Sequence, residues 1–180
     1  MSPVRRLRRS QAAVTRAVGA WLPVGSARSA SVRAGLAAVP TSATVICVHD
    51  AARPLASAAL YEAVIDAVLA GADAAVPGVA VSDTIKVVAG GAVVVETLDR
   101  GSLVAVQTPQ AFRAASLRAA HADAGEGTDD AALVERAGGR VVVVPGEPNN
   151  LKITVPDDLD RARVLVAASP DASSGARGVA

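Results

Sequence analysis

Aromatic side chains are nearly absent: Trp21, Tyr61 and Phe112 are the only ones, 2% of a chain that is 51% hydrophobic. Its core must be built from Ala, Val, Leu and Ile, which suits helices packed on a sheet. Cysteine is equally scarce. Cys47 stands alone and falls in an apolar run, so no disulfide framework or cysteine-rich metal site is possible, and a reducing cytoplasm is the default compartment. Acidic residues are missing from the front: Arg5, Arg6, Arg8, Arg9, Arg16, Arg28 and Arg33 all precede Asp50, the first carboxylate. Long apolar runs are missing too. The longest uncharged stretch, Ala34 to His49, is broken by Pro40, Thr41 and Ser42, which excludes a membrane span. The Arg-rich segment Met1 to Ala20 superficially resembles a transit peptide, and its arginines could touch nucleic acid. With no aromatic interleaving and no recognised binding module, a nucleic-acid partner is not expected.

What is present is a succession of short apolar runs punctuated by polar turns. Thr44 to Val48 reads as a strand buried on both faces, followed by the polar turn His49-Asp50-Ala51-Ala52-Arg53-Pro54. In an open parallel sheet, ligands bind outside the carboxyl ends of strands, so Asp50 and Arg53 would stand at the mouth of a crevice. There Asp50 offers hard oxygens to Mg²⁺ and Arg53 a guanidinium to phosphate. The competing reading makes Asp50 a helix cap and Arg53 a solvated charge.

Helical spacing predicts a short helix from Ser10 to Pro23, one from a Ser31 cap to Ala38, and one over Ser57 to Ala70 with Leu60, Val64 and Val68 on one face. Further helices are predicted from Ala114 to Asp123, from a Thr128 cap to Ala137, and from Pro156 onward, where Asp157 and Asp158 favour the first turn. Strands are predicted over Ala74 to Val81, Leu103 to Val106, Val141 to Val144 and Leu151 to Thr154. Two Val-rich runs flanking Gly90-Gly91 predict a β-hairpin arm over residues 85–97. Alternating strands and helices make the class α/β, in one domain. Residues 169–180 read as a disordered tail.

The order and spacing of Val48-His49-Asp50-Ala51-Ala52-Arg53-Pro54, Ser82-Asp83-Thr84-Ile85-Lys86, Asp99-Arg100, Gln107-Thr108-Pro109-Gln110-Ala111-Phe112, Thr128-Asp129-Asp130-Ala131 and Leu151-Lys152-Ile153-Thr154 resemble one family. It is the 2-C-methyl-D-erythritol 4-phosphate cytidylyltransferases of non-mevalonate isoprenoid biosynthesis, and the similarity runs from about Gly25 to Ala168. The resemblance implies a Rossmann-like nucleotidyltransferase sheet with helices on both faces and a protruding β-hairpin arm. It also implies cytidylyl transfer from CTP to methylerythritol phosphate, with Mg²⁺ as cofactor.

Residue by residue, it implies Asp50 as the metal-holding carboxylate, and Gly25, Ser26, Ser31, Ala51, Arg53 and Thr108 as further nucleotide contacts. Arg100 and Lys152 become the catalytic pair that positions methylerythritol phosphate, with Thr84 and Thr128 beside it. Asp129 and Asp130 are left outside the site as helix N-terminal charges. The arm implies a homodimer in which Arg100 serves the partner's nucleotide. Where the family has a Gly-Gly-Asp-like run, this chain has Val24-Gly25-Ser26. The family's first βα unit, with its Gly-rich triphosphate loop, has no match between Met1 and Val24, so residues 1–24 read as a separate basic segment. A misassigned start, a decayed remnant and a short variant remain open. Two other functions stay in view: a ribitol or other polyol-phosphate cytidylyltransferase, and a catalytically inactive dimerisation partner.

Overall fold

The computed structural model describes residues 28–122 and 129–168. The expected helix at Ser10, the site residues Gly25, Ser26 and Thr128, and the expected tail lie outside them.

In chain order the elements are α1 (Arg28–Ala38), β1 (Val45–Val48), α2 (Ala58–Leu69), β2 (Ala74–Ala80), β3 (Lys86–Ala89), β4 (Val93–Thr97), a 3-10 turn (Arg100–Ser102), β5 (Val104–Val106), β6 (Gln110–Arg113), α3 (Ala114–Ala122), α4 (Asp130–Arg136), β7 (Val141–Pro145) and α5 (Pro156–Ala167). The strand order is β1-β6-β2-β5, with β7 on the other edge of β2. This sheet is mixed rather than parallel throughout. β7 runs parallel to β2, but β5 and β6 run antiparallel to it.

The cause lies in residues 104–113, which travel back along β2 as one interrupted strand. Gly78 faces Val106 and Ala75 faces Ala111, so two extra residues sit on the returning side between those pairs. That is a bulge in the sense of an unpaired insertion that bends a strand. It carries Gln107, Thr108 and Pro109, with a cis Thr108–Pro109 peptide. Beyond it, β6 takes β1 as its second neighbour.

Small residues on β2 let both faces and both edges be covered closely. A Cβ on Gly78 would come within 2.8 Å of Val143 and 3.0 Å of Val104, so glycine is required where β5 and β7 converge. One face packs Ile46, Val76 and Phe112 against Leu36 of α1, Leu117 of α3 and Leu133 and Val134 of α4. The other packs Ala75, Ala111, Val45 and Cys47 against Val64 and Val68 of α2. Helices therefore cover both faces, as expected. Burial pushes the Cys47 thiol up to about 12, consistent with an inert filler rather than a nucleophile.

Ser57 caps α2, its hydroxyl accepting from the Leu60 N–H at 3.1 Å, and Leu60, Val64 and Val68 recur every four residues as its buried stripe. Asp50 is thus free of the capping role. α1 begins at Arg28, which places Ser31 inside the helix and not at its cap. The cap of α4 is Asp129, not Thr128, because its carboxylate accepts from Ala132 N–H at 2.8 Å. Leu151 to Thr154 is not a strand: the Ile153 N–H donates to the Ala52 carbonyl at 2.8 Å, which ties the segment to the Asp50 turn instead of a sheet edge.

β3 and β4 form the expected hairpin, turned by Gly90 and Gly91 at φ +51° and +84°. It pairs with no other strand among the described residues. Among those residues, too, no helix is long and apolar enough to cross a membrane.

Candidate active site

Three loops meet at the carboxyl end of β1. The turn after β1 carries Asp50 and Arg53, the bulge between β5 and β6 carries Thr108, and the segment before α5 carries Lys152. The Thr108 hydroxyl oxygen accepts from the Asp50 N–H at 3.0 Å and lies 3.0 Å from His49 Nδ1. The other ring nitrogen of His49 is 3.0 Å from the Arg53 carbonyl, which can only accept. Nε2 therefore carries the proton, and in the neutral ring Nδ1 accepts from the Thr108 hydroxyl. One chain of hydrogen bonds thus fixes the backbone of Asp50 and leaves its carboxylate to Lys152.

That carboxylate meets Lys152: Nζ and Oδ2 are 3.1 Å apart, the lysine half-exposed and the aspartate mostly covered. Arg53 turns inward. Its Nη1 donates to the Asn150 carbonyl at 2.7 Å, and burial draws the guanidinium below its usual range while Asp50 pulls it back up. Ala51 is exposed at the mouth and offers no bulk against a ligand.

Sequence reasoning missed the support beneath these groups. Gln107 and Asn150 are buried, and the Asn150 Nδ2 donates to the Thr108 carbonyl at 2.9 Å and to Gln107 Oε1 at 3.3 Å. Gln107 brackets the backbone of Glu147, donating to its carbonyl at 2.8 Å and accepting its N–H at 3.0 Å. The Glu147 carboxylate in turn accepts from the Ser57 hydroxyl and N–H at the head of α2. The one available signal was the uncharged polar pair Asn149-Asn150 directly ahead of the Lys152 motif.

Arg100 and Thr84 stand apart. Both are exposed at the base of the arm, where Arg100 Nη1 donates to the Ser82 carbonyl. Asp99, rather than pairing with Arg100, accepts from Gly101 N–H at 3.0 Å and caps the 3-10 turn. Among the described residues no hydrogen bond or ion pair joins Arg100 or Thr84 to Asp50, Thr108 or Lys152. Ser31 sits part-buried in α1.

The family model for 2-C-methyl-D-erythritol 4-phosphate cytidylyltransferase matches residues 11–168. The chain belongs to that family. The match starts ahead of Gly25, where the motif similarity was read to begin. The cytidylyltransferase of that name from Rubrobacter xylanophilus is 50% identical over 149 residues, covering 80% of this chain and 64% of the relative. A bifunctional enzyme IspD/IspF from Clavibacter michiganensis subsp. michiganensis is 49% identical over 151 residues, covering 83% of this chain and 37% of the relative. The chain thus spans less than two thirds of either protein. The crystal structure of the 2-C-methyl-D-erythritol 4-phosphate cytidylyltransferase from Thermus thermophilus superimposes with a TM-score of 0.72 at 38% identity, covering 83% of this chain and 78% of that one. The mixed sheet with helices on both faces is accordingly the family's own architecture.

Proposed function

We propose that the chain carries out, or supplies part of the site for, cytidylyl transfer from CTP to 2-C-methyl-D-erythritol 4-phosphate. A phosphate oxygen of methylerythritol phosphate attacks the α-phosphorus of CTP. The bond from that phosphorus to the oxygen bridging to the β-phosphorus breaks, and pyrophosphate leaves with the bridging oxygen. The products are 4-diphosphocytidyl-methylerythritol and pyrophosphate, the former an intermediate of non-mevalonate isoprenoid biosynthesis. Such a reaction asks the protein for positioning and for positive charge around mutually repelling phosphates.

The observation that carries this reading is the Lys152–Asp50 contact at 3.1 Å over a backbone fixed by Thr108. An ammonium held at the strand mouth attracts the phosphate of the acceptor, and the resting ion pair keeps that ammonium from sweeping through solvent. Thr108 and Ala51 border the space for the nucleotide, with Gly25, Ser26 and Ser31 as the further nucleotide contacts this reading assigns. Among the described residues no three His, Cys, Asp or Glu side chains converge on a metal position. A single carboxylate suits Mg²⁺ that arrives on the triphosphate and keeps phosphate oxygens and water as its other ligands. Asp50 would hold it, and its charge would offset that of the phosphate oxygens.

Arg100, with Thr84 and Thr128, completes the acceptor side in this reading, and Arg100 does so in the site of a second copy. Support comes from the arm itself, whose Val88, Val93, Val94 and Val95 are all more than half exposed on a hairpin with no strand neighbour among the described residues. An apolar ribbon of that kind is stabilised by a homodimer partner. A single cysteine and a CTP donor fit a reducing, cytoplasmic setting.

The test is pyrophosphate release by the chain with CTP, Mg²⁺ and methylerythritol phosphate, with ribitol 5-phosphate in parallel and circular dichroism to establish folding. Release that is faster with methylerythritol phosphate is the expected result. Faster turnover of ribitol 5-phosphate overturns the acceptor assignment. No release from folded protein overturns catalysis by this chain alone and favours the inactive dimerisation partner.

A further inference from the structure

The segment that carries Lys152 is anchored by a residue two positions earlier. Asn150 is wholly buried, yet it touches each of the three loops that form the site. Its carboxamide donates to the Thr108 carbonyl and to Gln107 Oε1, and its backbone carbonyl accepts from Arg53 Nη1 and, at 3.4 Å, from Gln107 Nε2. The orientation of this network is forced. The Glu147 N–H needs an acceptor and the Glu147 carbonyl needs a donor, which fixes how the Gln107 amide is turned. With Gln107 Oε1 so placed, only the nitrogen of the Asn150 carboxamide can face it and the Thr108 carbonyl together.

We propose that Asn150 is the positioning residue that sets Lys152 against Asp50, and through Lys152 the acceptor phosphate against the nucleotide. Thr108 holds the Asp50 backbone from one side while Asn150 holds the Lys152 segment to the Thr108 loop from the other. The charge pair at the surface is therefore the exposed end of a buried neutral joint. A lysine side chain has four rotatable bonds and little reason to stay in one place on its own. Fixing the backbone two residues upstream, with Ile153 N–H on the Ala52 carbonyl one residue downstream, sets the point and direction from which that side chain starts, and the contact with Asp50 then selects where its ammonium rests.

For its kinetic arm this inference rests on the cytidylyl-transfer reading, so the experiment includes an arm that does not. Lys86 and Lys152 are the chain's only lysines. Reductive methylation with ¹³C-formaldehyde keeps their charge and gives each a resolved NMR signal, with Lys86, bonded to Thr97 on the arm, as internal reference. The Lys152 signal is expected to shift in Asp50→Asn. It should shift in the same direction in Asn150→Asp and Asn150→Ala, with the Lys86 signal unmoved. A Lys152 signal unchanged in either folded Asn150 variant overturns the proposal, and so does failure of both variants to fold, which would make Asn150 a stability residue.

In the kinetic arm, Asn150→Asp should lower kcat/KM for methylerythritol phosphate on the order of a hundredfold, the loss expected of ångström-scale misplacement. It should regain activity relative to the wild type as the pH falls, since a protonated carboxyl restores the donor to the Thr108 carbonyl. Adding Lys152→Ala should then cost little more. If Lys152→Ala costs the same factor in both backgrounds, positioning through Asn150 is wrong. Wild-type protein that releases no pyrophosphate removes the cytidylyl-transfer reading instead, and the lysine signals alone decide the role of Asn150.

Discussion

The cluster at the end of β1 and the arm between β2 and β5 carry the two halves of one expected site, and they are built in opposite ways. At β1 every charged group is anchored: Asp50 through Thr108, Lys152 through Asp50, and Arg53 through Asn150. On the arm Arg100 has one carbonyl contact, Thr84 is exposed, and five valines face outward. The first half is preorganised by its own chain. The second presents chemistry on a ribbon that the described residues leave uncovered, which is the condition of a part that works against another molecule.

The sharpest test of that contrast removes one residue from each half. Lys152→Ala should reduce kcat/KM for methylerythritol phosphate by about 10²- to 10³-fold, the loss of one preorganised charge at a phosphoryl centre. Its melting temperature should barely move, because a half-exposed ion pair contributes roughly 0–1 kcal/mol. Arg100→Ala should be similarly inactive. Mixing the two inactive proteins should restore roughly a quarter of wild-type activity, since random pairing of subunits in a twofold dimer leaves that share of sites whole. A mixture that stays inactive places both residues in one chain's site and breaks the comparison.

Thr108→Val comes next in size. It keeps the volume but leaves the Asp50 N–H and His49 Nδ1 without their partner, at about 1–3 kcal/mol in urea denaturation. The equivalent loss on the arm, Thr84→Val, should be close to zero because Thr84 is exposed and makes no bond to the cluster.

Which of these residues were legible in the sequence follows from the range of the forces that place them. α2 was readable because its Ser57 cap and its four-residue stripe are local patterns, and the arm because Gly90-Gly91 between valine runs forces a turn. Asp50 was suggested by its place after a buried strand, with a helix cap as the alternative, whereas Thr108, Arg100 and Lys152 were singled out only through the family's motif register. Gln107 and Asn150 were not read, and the only hint was the uncharged pair Asn149-Asn150 beside the Lys152 motif. Nothing about a neutral amide discloses burial, and their partners lie some forty residues away. The same range effect hid β6, whose four residues pair with β1 and β2, both far from it in sequence, and turned a predicted Leu151–Thr154 strand into a loop bonded to the Asp50 turn.

A smaller effect lies at the far end of β2 and serves as a control on both halves. Asp73 accepts from the Ser116 hydroxyl at 2.7 Å and the Arg140 N–H at 3.0 Å, with Arg113 at 3.3 Å, and these hold its carboxyl below its ordinary value of 3.8. A depressed folded pKa means stability that is present above the unfolded value and lost as pH falls through the folded one. Asp73→Asn should cost about 1 kcal/mol at pH 7, discounted for partial exposure, and the gap should close in acid. Its kcat/KM should match the wild type.

The smallest expected effect on the isolated chain is also the most informative about the arm. Val94 is 52% exposed on β4. If the ribbon stands free of its own domain, Val94→Lys should change unfolding free energy by no more than about 0.5 kcal/mol, as for other surface positions. The same charge should weaken self-association about tenfold or more, because an apolar contact would then have to bury an ammonium. Sedimentation of the variant across a concentration series reads the second quantity, and urea denaturation at low concentration reads the first. A loss of several kcal/mol at low concentration, with association unchanged, would mean that the valines pack within one chain. The arm would then be ordinary core, and Arg100 would belong beside Lys152 in the same subunit.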